Sequence, residues 1–220
     1  MVMEAFSRAA AKPEGTNDFL EAILRERPDL RDQPHHFATN GLHSNTVIFE
    51  QEVFKGPRYK NDVSSFDDEY GILQQMKGKG LPVPEVTYVG KETVFYGMTR
   101  VAGDDLPDVI GKLTAEEKQL LAQDIADFII RLAGAMPAGG GNFAKHADIM
   151  KNVLVDPETK RLSAVIDFES LRYAPKDHLT PNVVDEFTDM VKQEFDHKKS
   201  EIQGSMIKRA ILKHLHFKKS

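Results

Sequence analysis

The sequence predicts a two-lobed α+β protein, and three observations predict it. Its first third alternates β-branched and aromatic residues around one helical stretch. A long amphipathic pattern opened by a capping box comes next. A hairpin framed by Asp148, Asn152 and Asp167 follows that pattern.

Small and polar residues (Ser7, Ala9, Ala10, Ala11, Lys12, Pro13) make residues 1–15 read as a mobile leader, with a secretion leader as the alternative. Thr16 and Asn17 suit the cap of a short helix whose apolar positions Phe19, Leu20, Ile23 and Leu24 recur at helical spacing, with Pro28 and Pro34 ending it. Residues 37–58 change to strand texture. Within them 46–55 suits a hairpin, its apolar runs parted by Glu50, Gln51 and Glu52. Phe66, Tyr70, Leu73 and Met76 return to helical spacing and Gly78 and Gly80 stop it. Residues 86–89 and 93–98 read as two further strands turned at Gly90 and Lys91.

Thr114 with Glu117 three residues later forms a capping box. It launches a helix through Leu120, Leu121, Ile125, Phe128, Ile129 and Leu132, closed by Gly134 and Pro137. Residues 137–145 read as a short connection. Residues 152–167 are two apolar strands around an Asp156–Pro157 turn. The remainder, from about Pro181, looks helical and ends in a basic run at 208–219. The expected division is 1–36 for leader and short helix, 37–100 for the first lobe and 101–220 for a reduced, mainly helical second lobe.

Composition narrows the function classes. The net charge of −5 gives no basic field that would argue for nucleic acid as partner. No cysteine is present, which removes disulfides, thiolate nucleophiles and thiolate metal sites. No apolar run approaches the roughly 18 residues of a membrane span. No apolar core with a cleavage site marks a Sec-type signal.

The chemistry concentrates in His146, Asp148 and Asn152, then a hairpin, then Asp167, Phe168 and Glu169. Two carboxylates and an amide on either side of a short hairpin converge at its open end. Such a set suits a hard divalent cation and the orientation of a hydroxyl, which is what phosphoryl transfer requires.

This pattern resembles the protein-kinase-like superfamily, especially its aminoglycoside phosphotransferase and choline kinase branch, over roughly residues 37–178. The resemblance implies a bilobal protein-kinase-like fold, a small antiparallel-sheet N-lobe with a reduced helical C-lobe, and a kinase that uses ATP and Mg2+. It implies that Asp148 is the catalytic base or hydroxyl-orienting carboxylate, and that Asn152 and Asp167 are magnesium ligands. His146 then supports the loop, and Lys151 approaches the transferring phosphate. The step from Asp148 to Asn152 is one residue shorter than in most protein kinases, and Glu169 stands where they have glycine; both departures match the antibiotic-kinase branch. The strand lysine that meets the α- and β-phosphates is expected in Lys55, held by Glu69 on the following helix. Backbone groups of Met98, Thr99, Arg100 and Val101 are expected to read adenine. In place of a Gly-rich phosphate loop there is one glycine, Gly41, whose neighbouring amides are expected to cover the phosphates.

For the acceptor, length and charge point to a protein. The short connection at 137–145 leaves no room for an inserted helical pair, and little sequence follows Asp167 from which to enclose a small substrate. Asp185, Glu186, Asp189, Glu194 and Asp196 read as a solvated acidic face, the alternative being an acidic pocket for a cation. The stripped core is similar to minimal bacterial effector kinases of the HopBF family, which implies Ser/Thr phosphorylation of a host heat-shock chaperone. It also implies a monomer secreted from a bacterium to act in the host cytoplasm. A small-molecule kinase is the second expectation. A pseudokinase is disfavoured, because Lys55, Glu69, Asp148, Asn152 and Asp167 are all present.

Overall fold

A computed structural model of the chain describes residues 16–38, 44–58, 63–135, 137–138, 142–146 and 149–175. The chain forms two compact units. One comprises the residues up to Lys77 with Pro84–Arg100, the other Gly78–Val83 with the residues from Val101.

The first unit is built on a five-stranded antiparallel sheet in the order β1-β2-β3-β5-β4, with β1 at His35–Phe37, β2 at Ser44–Phe49, β3 at Glu52–Pro57, β4 at Val86–Val89 and β5 at Tyr96–Thr99. The two-residue period of strands sorts its side chains between faces. Val47, Phe49 and Phe54 join Phe95 on one face, where helix α1 (Thr16–Glu26) seals them with Phe19, Ile23 and Leu24. Phe54 lies opposite Gly97 across β3 and β5, and a Cβ at Gly97 would come within 2.7 Å of the Phe54 ring. The other face takes Lys55 and its cross-strand partner Tyr96. Helix α2 (Val63–Gly78) serves this face, and its Tyr70 tilts against Tyr96 with ring centroids 6.4 Å apart. Strand β1 and the first turn of α2 begin earlier than the apolar pattern alone marks.

In the second unit helix α4 (Ala115–Ala135) buries Leu121, Ala122, Ile125, Phe128 and Leu132, a spacing of three and four that lays one stripe against the core. The capping box opens it as expected: Thr114 N–H and Oγ–H donate to Glu117 Oε2 at 2.7 and 2.8 Å, and Glu117 N–H returns to Thr114 Oγ1 at 3.2 Å. A small sheet in the order β10-β9-β6 joins Leu162–Val165, Val153–Val155 and Asp104–Asp105, and the short helix α3 (Leu106–Val109) follows β6. Asp124 on α4 takes the Arg161 guanidinium at 2.6 and 2.5 Å and the Leu162 N–H at 3.2 Å, fixing the helix to the hairpin. Val165 N–H donates to Pro82 O at 3.0 Å and Arg131 donates to Gly80 O at 2.5 Å. These bonds hold the Gly78–Val83 segment in this unit rather than with the helix that precedes it.

One difference from the sequence reading is structural. The stretch expected as a plain connection contains strands β7 (Pro137–Ala138) and β8 (Asn142–His146). Strand β8 pairs with β11 (Leu171–Pro175) in a third sheet, order β11-β8-β7. Strands this short carry too few periods to read locally, and their partner lies well downstream. Among the described residues no helix is long and apolar enough to cross a membrane.

Candidate active site

Lys55 belongs to β3, whose alternation turns it away from the Phe54 face, and Glu69 lies on α2. Lys55 Nζ donates to both Glu69 carboxylate oxygens, at 3.1 and 3.0 Å. Only 6% of the lysine side chain and 1% of the glutamate side chain reach solvent. Burial this deep is tolerated by an ammonium and a carboxylate only when each has a partner, and here they pair with one another.

Asn152 and Asp167 share one end of the β9–β10 hairpin. Val153 is registered with Val165, and the ladder continues one step further as Ile166 N–H donates to Asn152 O at 2.9 Å. That bond fixes Asn152 beside the residue that precedes Asp167. A 3₁₀ turn at Ile149–Lys151, closed by Asn152 N–H donating to Ile149 O at 3.0 Å, delivers the chain to this point. It leaves Lys151 exposed. Asp167 has φ 60 and ψ 72, the left-handed region that few non-glycine residues enter. Asp tolerates it better than most, and such outliers gather at functional sites. The amide of Asn152 and the carboxylate of Asp167 are hard oxygen donors, the kind Mg2+ selects, so the donor chemistry fits that ion.

The strand pair β8–β11 fastens the flanks of this motif. His146, two positions before Asp148, is registered with Leu171, four positions after Asp167. Asp148 and Gly41 themselves lie outside the described residues. So do Asp185, Glu186, Asp189, Glu194 and Asp196.

The four residues expected to read adenine are not equivalent. Thr99 N–H donates to Glu85 O and Arg100 N–H to Gln51 O, each at 2.8 Å, and Met98 is laddered between Val53 and Val86. Among the described residues the Val101 N–H makes no hydrogen bond, so of the four amides it is the one at liberty for a base edge. Two features escaped the sequence reading: the left-handed backbone of Asp167, and the packing of Phe19 against Gly56, next to Lys55. The only signal for the second is a glycine inside an apolar strand, which marks close approach by another group.

No protein-family model matches the chain, and no curated protein sequence matches it either. Solved structures do. The GDP complex of aminoglycoside 2'-phosphotransferase-IIIa superposes with a TM-score of 0.66 at 15% identity, over 89% of this chain and 87% of that one. ADP-bound aminoglycoside phosphotransferase APH(2'')-Ib gives 0.62 at 17% identity, over 90% and 88%. The streptomycin–ATP–APH(2'')-IIa ternary complex gives 0.61 at 17% identity, over 87% of each chain. With the five-stranded sheet and helix of the first unit and the long helix and hairpin of the second, these likenesses establish that the chain has the protein-kinase-like fold.

Proposed function

We propose that the chain is a phosphotransferase that moves the γ-phosphate of ATP to an alcohol hydroxyl. The observation that carries this reading is the buried Lys55–Glu69 pair. An ion pair so enclosed gives little or no stability over apolar residues of the same size. Phosphoryl transfer, by contrast, depends on fixed positive charge and on alignment of the reactants. In this reading Lys55 meets the α- and β-phosphates and Glu69 holds it in place.

The remaining roles follow the same chemistry. Asn152 and Asp167 hold magnesium, which neutralises phosphate charge when bound. Asp148 orients the acceptor hydroxyl and takes its proton as that oxygen bonds to the γ-phosphorus. The bond from this phosphorus to the β,γ-bridging oxygen breaks, and ADP leaves with the electron pair. Lys151 adds positive charge beside the transferring group. Gly41 and its neighbours cover the phosphates through backbone amides, and the segment from Met98 to Val101 receives the base, the Val101 N–H as donor.

Two acceptors are in play. The short 137–145 connection and the basic run at 208–219 favour a serine or threonine of a protein, in the effector reading a host heat-shock chaperone. A small polyhydroxylated cation is favoured by a different observation: the likeness to the streptomycin-bound ternary complex extends over 87% of both chains. The small-molecule reading has the stronger support, because the case for a protein leans on acidic and basic segments beyond residue 175. Incubation with γ-labelled ATP and magnesium, with an aminoglycoside panel in one arm and a eukaryotic lysate in the other, tests both. Label on an aminoglycoside supports the small-molecule acceptor, and label on one lysate protein supports the protein acceptor. Failure of the Asp148→Ala variant to lose whichever transfer is found would overturn the catalytic assignment.

A further inference from the structure

Lys55 is gripped from both faces of its strand. Glu69 holds its ammonium on one face. On the other, the next residue, Gly56, presents a bare α-carbon to the ring of Phe19 on α1. A Cβ built at Gly56 would lie 2.3 Å from Phe19 Cε2, 2.9 Å from Cζ and 3.0 Å from Cδ2. The ring has nowhere to retreat. Phe19 is fully buried and stands edge-on to Phe95, with centroids 6.1 Å apart and planes at 84°. Phe95 in turn precedes Tyr96, the cross-strand partner of Lys55.

The end of α1 holds the same strand a second time. The Arg27 guanidinium donates to Glu52 of β3 at 2.9 and 3.3 Å and to Asp29 at 2.7, 2.9 and 3.2 Å. It also lies 5.8 Å from the Phe54 ring centroid and 5.5 Å from that of Tyr88. Thr87 Oγ1 donates to Glu52 Oε1 at 2.5 Å from the other side. Glu26 anchors the helix to the β4–β5 turn, accepting the N–H groups of Lys91, Glu92 and Thr93 at 2.6, 3.1 and 3.2 Å and the Tyr88 hydroxyl at 3.1 Å. Helix α1, through Phe19, and Arg27, the residue that follows it, therefore meet β3 at Gly56 and at Glu52, with Lys55 between these points.

Burial alone does not ask for this arrangement. A glycine within a strand is less favourable than alanine, and a cover helix can pack on alanine. Close approach of the ring at this one place sets how far β3 stands from α1, and hence where the Lys55 ammonium comes to rest. We infer that Phe19 and Arg27 are positioning residues for Lys55, and that α1 sets the lysine's place in the nucleotide site. The inference rests on the reading of Lys55 as the phosphate-binding lysine. A displacement of about 1 Å in such a group can cost about 10²-fold in rate.

The test uses the full chain and follows phosphate release from Mg·ATP with water as acceptor, alongside thermal unfolding of each variant. Gly56→Ala, folded, is expected to lose about 10²-fold in kcat, with the KM for ATP moving less than about threefold. The double variant Gly56→Ala/Phe19→Leu removes the ring atoms that the new methyl group meets, and is expected to regain at least about tenfold of that loss. Wild-type kcat in folded Gly56→Ala overturns the inference, and so does a loss that the double variant does not recover. Should Gly56→Ala not fold, Arg27→Lys decides. It keeps the charge but loses the fork; a kcat loss of about tenfold in the folded protein supports the inference, and wild-type kcat overturns it. Lys55→Met separates the two levels. If it keeps the wild-type rate, the reading of the site fails and this inference falls with it. If it is inactive while Gly56→Ala and Arg27→Lys are normal, the inference alone fails.

Discussion

Glu69 receives the Lys55 ammonium on both carboxylate oxygens, at 3.1 and 3.0 Å, from a position where its own side chain is 1% exposed. Removing one member of such a pair strands a charge away from water, at a cost of about 3–5 kcal/mol, whereas replacing both with apolar residues is often neutral or stabilising. Glu69→Ala is therefore expected to lower the urea midpoint sharply. The double variant Lys55→Met/Glu69→Leu should restore the midpoint and remain without phosphoryl transfer. Urea unfolding followed by a transfer assay on the same samples separates the structural role of the pair from the catalytic one.

Asp167 offers a second separation. Its φ of 60 suits glycine better than any side chain. Asp167→Gly should unfold within about 1 kcal/mol of the wild type while losing transfer, because the carboxylate is gone and the backbone is not. Asp167→Ala should lose transfer equally and also unfold earlier, since alanine pays the full left-handed penalty of about 1–2 kcal/mol. Transfer at the wild-type rate in either variant under saturating magnesium would contradict the metal-ligand role.

The box at the start of α4 predicts a pH dependence. The Thr114 N–H, then the Thr114 hydroxyl, holds the Glu117 carboxyl below its ordinary range. A carboxylate whose folded-state pKa is depressed stabilises the fold above its unfolded pKa and loses that contribution as pH falls through the folded value. The Tm difference between wild type and Glu117→Gln should thus be present at pH 7 and shrink as the pH falls below the ordinary glutamate range. Thr114→Ala should cost about 1 kcal/mol at neutral pH.

Asp105 behaves in the opposite sense. Loss of water around its carboxyl, then Asp108, then Asp104, raises its pKa. The folded state consequently prefers the protonated form, and ionisation destabilises it as pH rises through the carboxylate range. Asp105→Asn should melt above the wild type at pH 7 and level with it near about pH 3, a comparison that scanning calorimetry at the two pH values makes directly.

What the sequence discloses about this fold is what neighbouring residues decide among themselves. The Thr114 box needs only residues three apart, and the β9–β10 hairpin is announced by Asp156 and Pro157 between two apolar runs. Residues 142–146 carry no such signal, because their strand exists only through pairing with residues 171–175. The partnership of Lys55 with Glu69 was reachable only through resemblance to a known family, since Asp67 and Asp68 adjoin Glu69 and the helical pattern does not choose among them. The backbone of Asp167 and the Phe19–Gly56 contact were out of reach. One is a torsion that aspartate permits but does not demand, and the other joins residues from separate elements.

The seat of Glu26 on the amides of Lys91, Glu92 and Thr93 has a consequence for synthesis. Its donors lie 65 to 67 residues downstream. At roughly 5–20 residues per second, the ribosome supplies them about 3–13 seconds after the helix itself. During that interval Phe19, Ile23 and Leu24 have no complete sheet to cover, so the nascent chain displays an apolar helix face. That face is a point at which a folding chaperone would engage the growing polypeptide, and at which crowded polysomes would aggregate without one.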